Sequence, residues 1–280
     1  MQANILKHPP LQNLKAAGYE IQQLLVAHAN ITEGKDVFES WVLDDTSIFI
    51  RSGLVYLCSV WEAFVEDAAE AAVAFLVENA GTHNDVPLSL RREIAKQLES
   101  DKHDLAVWGL ARDGWRDILK ERFESVVRRN TNRLNAPKTE NVRTLFFTAL
   151  GHESIVDEWG WSHFSNNHVC TWLDRFVDAR GAIAHGREPN FEIGAFALDF
   201  FYVLVLELGQ ITYNSVRNFL LKLLNKEVWQ EEKSQIVWKT FENCATELPF
   251  LRHVHVHRSK DGQAHYLLSL KHMQRIEGSE

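Results

Sequence analysis

The chain has 280 residues, with 30 Lys+Arg against 38 Asp+Glu, giving a formal net charge of −8 with its 13 histidines neutral. That balance excludes a protein that coats nucleic acid by bulk electrostatics, so any nucleic-acid site must be a local patch. At 45% hydrophobic and with nine tryptophans the chain can build a sizeable core, and its length suits one large domain or a domain with an appendage.

Helical periodicity runs through most of the sequence. A first helix is expected over Leu11 to Ala29. Asp44 or Asp45 is placed to cap a long helix that continues to Asn79, where Gly81 stops it. Within it Ile50, Leu54, Leu57, Trp61, Phe64, Val65 and Ala68 follow i, i+3, i+4, i+7 spacing. Helices follow over Leu88 to Leu98 and Trp115 to Arg129. A loop from Asn132 to Pro137 then leads to capping residues Thr139 to Asn141 and a helix over Val142 to Leu150. Asn166 or Asn167 can cap the helix that closes at His185, with Gly186 at the position after the cap and Pro189 forbidding continuation. A second long helix covers Ile193 to Leu224. A helix over Glu231 to Cys244 precedes two alternating strands, Arg252 to Arg258 and Ala264 to Leu270. The expected fold is an all-α bundle with two long paired helices (residues 1–225) and a small C-terminal β-hairpin appendage (226–280).

The helix ending at His185 carries the most chemistry. On a wheel of about 100° per residue, Val169, Trp172, Leu173, Phe176, Val177, Ile183 and Ala184 form an apolar stripe, with Arg180 near its middle. Asp174, Asp178, Gly181 and His185 stack on another face. Arg180 can be a cation snorkelling at a bundle edge, a structural partner for a carboxylate such as Glu62, or a guanidinium aimed at phosphate oxygens. His185 can simply complement the helix dipole, worth about 0.3–1 kcal/mol, or act as a general acid on a leaving 5′-oxygen. Gly181 costs a helix interior roughly 1 kcal/mol relative to alanine, which a close approach by another helix or a substrate would explain. The spacing alone is weak, since Arg252 and His257 repeat it within an expected strand.

Other patterns have plainer explanations. Arg128, Arg129 and Arg133 form a basic run: a solvated helix end, or a contact to an RNA backbone. His253, His255 and His257 alternate on one strand face without a fourth ligand, so no metal is expected there. If Asp261-Gly262 is a two-residue turn, their cross-strand neighbours are Tyr266, Leu268 and Leu270. Trp108, Trp115, Trp159, Trp161 and Trp172 read as packing residues rather than base-stacking platforms. Three distant cysteines (Cys58, Cys170 and Cys244) exclude a disulfide framework and fit a reduced, cytoplasmic setting. Met1 to Pro10 lacks a signal core. The run Ala195 to Leu208 is interrupted by Asp199 and Glu207, so no membrane association is expected. Gly151 to Ser154 is not a nucleophile elbow, and no cofactor motif is present.

Three segments, taken together, resemble the HEPN-domain proteins, in particular the bacterial RiboL-PSP-HEPN and MAE_28990-like HEPN group, over about residues 40 to 220. They are Val60-Trp61-Glu62-Ala63-Phe64-Val65-Glu66-Asp67, then Asn135 to Arg143 with Leu145-Phe146, and Arg180 to Gly186. The resemblance implies a helical bundle that forms a homodimer, bringing the Arg-x4-6-His segments of two copies together. It further implies a metal-independent endoribonuclease acting on RNA, often a toxin or anti-phage effector with an antitoxin or defence-system partner protein. Carried onto this chain, Arg180 would bind the phosphate, His185 would act as acid or base, and Glu62 would orient or pair with Arg180. The family usually has a polar residue, most often asparagine, directly after the arginine. Here Gly181 stands there, and Asp178 or Asp174 on the same face could take over the steering of His185. A non-catalytic scaffold that binds RNA, a nucleotide or a partner protein is the alternative.

Overall fold

The structure is a computed structural model and describes residues 10–31, 47–100, 103, 105–121, 136–161, 164–189, 191, 193–233, 237–238, 254–258 and 264–268. Its helices are α1 (Leu11–Ile31), α2 (Ser47–Asn79), α3 (Leu88–Glu99), α4 (114–121), α5 (Thr139–Leu150), α6 (Asn166–Ala184) and α7 (Ala195–Leu224). Short 3-10 helices lie at His83–Asp85 and Ala106–Leu110. The protein is mostly helical, as the 3.6-residue period of its apolar positions requires.

Helix bodies follow that period, while several helix starts differ from expectation. Ser165, not Asn166 or Asn167, caps α6: its hydroxyl accepts the His168 amide, and both asparagines lie inside the first turn. Lys138 occupies the cap of α5 without a side-chain hydrogen bond, so Thr139 to Asn141 already belong to the helix. Short polar residues cluster at both starts, and backbone dihedrals decide among them. The proposed caps Asp44 and Asp45 lie outside the described residues, as does the end of the predicted Trp115 to Arg129 helix.

Two compact units divide the chain. One comprises Met1–Leu14, Val60–Glu158 and Ile211–Glu232. Here the buried indole of Trp61 donates from Nε1 to the Pro137 carbonyl at 3.0 Å, tying α2 to the entry of α5. The end of α2 does not rely on a left-handed glycine at Gly81. The carbonyls around that end are taken by cations instead: Arg116 reaches those of Val77 and Ala80, and Lys226 Nζ reaches that of Asn79 at 3.0 Å. At the end of α5, Gly151 turns left-handed (φ 73) and its amide bonds the Phe147 carbonyl. A Cβ there would also sit 2.6 Å from Ser89 Oγ, so glycine is required twice over. The buried His152 that follows stacks on Phe219 (centroids 4.5 Å apart), with its Nε2 2.9 Å from Ser215 Oγ on α7. Beyond α7 the chain folds back so that Trp229 stacks on Tyr213 and donates to its carbonyl at 3.1 Å.

The other unit comprises Lys15–Ser59, Trp159–Gln210 and Lys233–Glu280. Helix α6 packs on α7 through an aromatic chain. Phe164 meets Trp172 at 5.0 Å, Trp172 meets Phe200 at 5.2 Å, and Phe176 stacks on Phe201 at 5.0 Å. Each such pair contributes about 0.5–1.5 kcal/mol beyond its area. Small residues admit neighbours elsewhere: Tyr202 fills the space beside Gly18, and Leu198 and Leu24 fill that beside Gly53. Of the five tryptophans read as packing residues, Trp115, Trp159 and Trp172 are buried, Trp161 is half-buried, and Trp108 is 71% exposed. Trp108 sits in a short 3-10 helix none of whose residues is buried.

Segments β1 (Val237–Trp238), β2 (Val254–Arg258) and β3 (Ala264–Leu268) pair in the order β1-β3-β2, β1 parallel and β2 antiparallel to β3. Val237 and Trp238 are thus extended where a helix over Glu231 to Cys244 was expected, because β-branched and aromatic neighbours suit a ladder. The Cα register sets His257 opposite His265, one residue away from what an Asp261-Gly262 two-residue turn imposes. Among the described helices α2 is long and apolar enough to cross a membrane by length and composition. The same composition serves burial, and Leu54, Leu57, Trp61 and Val65 are shut off from solvent.

Burial pushes the His152 imidazole down to about 4 against an ordinary 6.5, with the Ser215 contact opposing it. The folded protein therefore holds His152 neutral while the unfolded chain takes up a proton near pH 6.5. Stability should be full above pH 6.5 and fall by on the order of 3 kcal/mol as pH drops toward 4. Urea denaturation across that window checks it. A His152→Gln variant with an equally steep acid loss would remove His152 as the cause.

Candidate functional site

Helix α6 leaves the core partway along its length. Val169, Trp172, Leu173, Phe176, Val177 and Ala179 are buried, whereas Arg180, Gly181 and Ile183 are half-buried and Ala184 and His185 are exposed. The apolar stripe therefore does not extend through Ile183 and Ala184 as the wheel suggested. Alanine and isoleucine at the end of a helix carry no guarantee of a partner surface. Arg180 stands at the border, its Nε shielded from solvent and the residue as a whole partly exposed.

The end of the helix is built as the sequence indicated. His185 is the C-cap residue, and Gly186 follows in the left-handed region at φ 64. The Gly186 amide bonds the Ile183 carbonyl at 3.0 Å and the Arg187 amide bonds the Ala182 carbonyl at 2.8 Å, the paired contacts of a Schellman turn. The turn holds His185 at the negative end of the helix dipole, in solvent. Five residues at about 100° each place Arg180 and His185 about 140° apart around the axis, so one helix presents them in different directions.

Glu188, just past this turn, receives Arg51 from α2, whose Nη2 lies 2.9 Å from both carboxylate oxygens. Glu188 is 72% exposed, so the pair contributes no more than about 1 kcal/mol. It nonetheless brings another arginine beside the motif. Sequence reasoning passed over Arg51, although a signal existed: it is the sole charge between Ser47 and Trp61.

Of the residues singled out from sequence, Arg180, His185, Asp178 and Asp174 share α6, Asp178 exposed and Asp174 half-buried. Glu62 is half-buried on α2 next to Trp61 and belongs to the other compact unit. Arg128, Arg129 and Arg133 lie outside the described residues. At Gly181 an added Cβ meets nothing within 4 Å, so no described part of this chain demands glycine there by close approach. The raised carboxyls lie elsewhere: on α2, burial pushes up Glu66, helped by neighbouring Asp67, and also pushes up Asp67. Among the described residues no group of three His, Cys, Asp or Glu side chains could hold a metal ion.

The family model described as RiboL-PSP-HEPN matches residues 19–226, which takes in α2 through α7 and the whole Arg180 to Gly186 segment. No curated protein and no solved structure matches the chain.

One substitution made at two nearby glycines should act with opposite signs. Gly181→Ala, in open space within a helix, is expected to stabilise by about 1 kcal/mol. Gly186→Ala, forced to positive φ, should cost about 1–2 kcal/mol although nothing crowds it. Chemical denaturation of both variants measures this. A loss at Gly181 would mean that something outside the described chain packs against it in solution.

Proposed function

The chain belongs to the RiboL-PSP-HEPN family, and on that premise we propose that it is a metal-independent endoribonuclease working as a homodimer. The observation that carries this is the end of α6, where a half-buried arginine and an exposed histidine flank an uncrowded glycine inside the family-matched stretch. Neither side chain is sealed beneath packing. Because they diverge by about 140° on one helix, a second copy is the simplest way to bring a guanidinium and an imidazole to the same phosphate.

In this mechanism Arg180 holds the scissile phosphate and neutralises charge as the ribose 2′-hydroxyl attacks phosphorus. His185 takes the 2′-hydroxyl proton or protonates the departing 5′-oxygen, the second role falling to the other copy's histidine. The products are a 2′,3′-cyclic phosphate and a free 5′-hydroxyl. Asp178 serves as an orienting carboxylate, and Arg128, Arg129 and Arg133 supply further contacts to the RNA backbone. A toxin or anti-phage role in the cytoplasm, restrained by an antitoxin or defence-system partner, is the setting we propose for it.

Gly181 favours a second reading, a HEPN scaffold that binds RNA, a nucleotide or a partner protein without cutting. The side chain that would steer His185 is absent, and the space it would fill is open.

Purified protein should cleave RNA in the presence of a chelator and leave cyclic-phosphate ends. Arg180→Ala and His185→Ala should each lower the rate at least a hundredfold with unchanged circular dichroism and elution volume. Cleavage that survives both substitutions, or that requires a divalent ion, sinks the proposal. If the wild type binds RNA but does not cut it and Gly181→Asn gains cleavage, the scaffold reading replaces it.

A further inference from the structure

The unit containing Val60–Glu158 holds a cavity of about 310 Å³ walled by α3, α4 and the 3-10 helix Ala106–Leu110. Its apolar wall is Val86, Ile94, Leu110, Trp115 and Leu119. Four of these, Val86, Ile94, Trp115 and Leu119, are themselves buried, so the wall is held by packing behind it. The space is therefore preformed, as ligand sites usually are.

Arg91, on α3, also lines the cavity. Its Nη1 donates to Asn84 Oδ1 at 3.0 Å, while its Nε is shielded from solvent and makes no hydrogen bond among the described residues. A guanidinium in the wall of an apolar cavity offers N–H donors that an anionic oxygen matches best. Asn84 is placed by the turn that precedes α3. Thr82 and Asp85 cap the 3-10 helix His83–Asp85 reciprocally, and Asn84 sits between them. The polar end of the cavity is thus positioned by exposed hydrogen bonds, from Arg91 to Asn84 and within the preceding turn.

We infer that this cavity binds a small amphipathic monocarboxylate, its hydrocarbon body against Trp115, Ile94 and Leu119 and its carboxylate on Arg91. Size and charge both select this class. Ligand cavities span about 300–1,000 Å³, so this one sits at the lower bound, suited to one medium-length chain or a single ring and too small for a dinucleotide. The polar lining is the Arg91 guanidinium with the His83 imidazole, and the single permanent cation matches a monoanion better than a phosphate monoester or a dicarboxylate. The site lies outside α6 and is independent of the nuclease proposal.

Isothermal titration of the full-length protein with octanoate and with its neutral analogue octanamide tests the inference. Octanoate should bind saturably, with octanamide at least tenfold weaker, a difference of about 1.4 kcal/mol. Arg91→Met should erase that discrimination while keeping the weak binding of octanamide. Ala95→Phe, entering the cavity from an exposed position on its rim, should abolish both. Equal affinity for the two compounds, undiminished octanoate binding by Arg91→Met, or no saturable binding by the wild type overturns the proposal. If Arg91→Met does not fold, the wild-type comparison and Ala95→Phe remain decisive.

Discussion

The contact of α6 with α7 through Trp172, Phe176, Phe200 and Phe201 is the constraint on which the candidate site depends. These rings bury the first three turns of α6 and fix its rotation and axial position. Once Phe176 is stacked on Phe201, Ala179 must face inward, and Arg180 falls at the edge of the core. Gly181 to Ile183 are half-buried, and Ala184 and His185 emerge into solvent. A shift of one residue in that packing would turn Arg180 by about 100°, either sealing it or exposing it fully.

The turn after α6 completes the placement. A helix that simply frayed at its end would leave His185 without a fixed position. The left-handed Gly186 and the paired contacts from Gly186 and Arg187 end the helix sharply, so that the imidazole belongs to a rigid element. The Arg51–Glu188 pair then ties the following residues to α2. Its energy is small, and its effect is geometric: the motif, the chain leaving it and the early long helix are held in one arrangement. For the placement of the candidate residues this geometric support matters more than the strength of the ion pair.

Burial and chemistry separate in this protein. The histidine with the strongly lowered basicity, His152, is a core residue held by Ser215 and Phe219, far from the profile of a catalytic base. The raised carboxyls of Glu66 and Asp67 reflect burial on α2. At His152, Glu66 and Asp67 perturbed ionisation therefore marks packing. The site candidates are recognised instead by position, at a helix end where an arginine and a histidine are accessible. HEPN membership adds weight because it covers the residues that form this end.

By itself the sequence determined the helical class, the bodies of the helices up to Leu224 where they are described, the closing turn at His185-Gly186 and the family, because period, glycine position and local motifs are properties of neighbouring residues. The helix expected over Glu231 to Cys244 is instead extended at Val237–Trp238. It misjudged which of several short polar residues cap α5 and α6, since their propensities are nearly equal and the backbone decides. It also extended the buried stripe of α6 one turn too far, because a wheel shows which residues share a face without showing where the opposing surface ends. Only the tertiary structure decided that Gly181 is uncrowded by the described chain and that Arg51 stands beside the motif. It alone gathered Arg91, Trp115 and Leu119 around an empty space. Each of these joins residues distant in sequence, and such contacts are set by how whole helices pack.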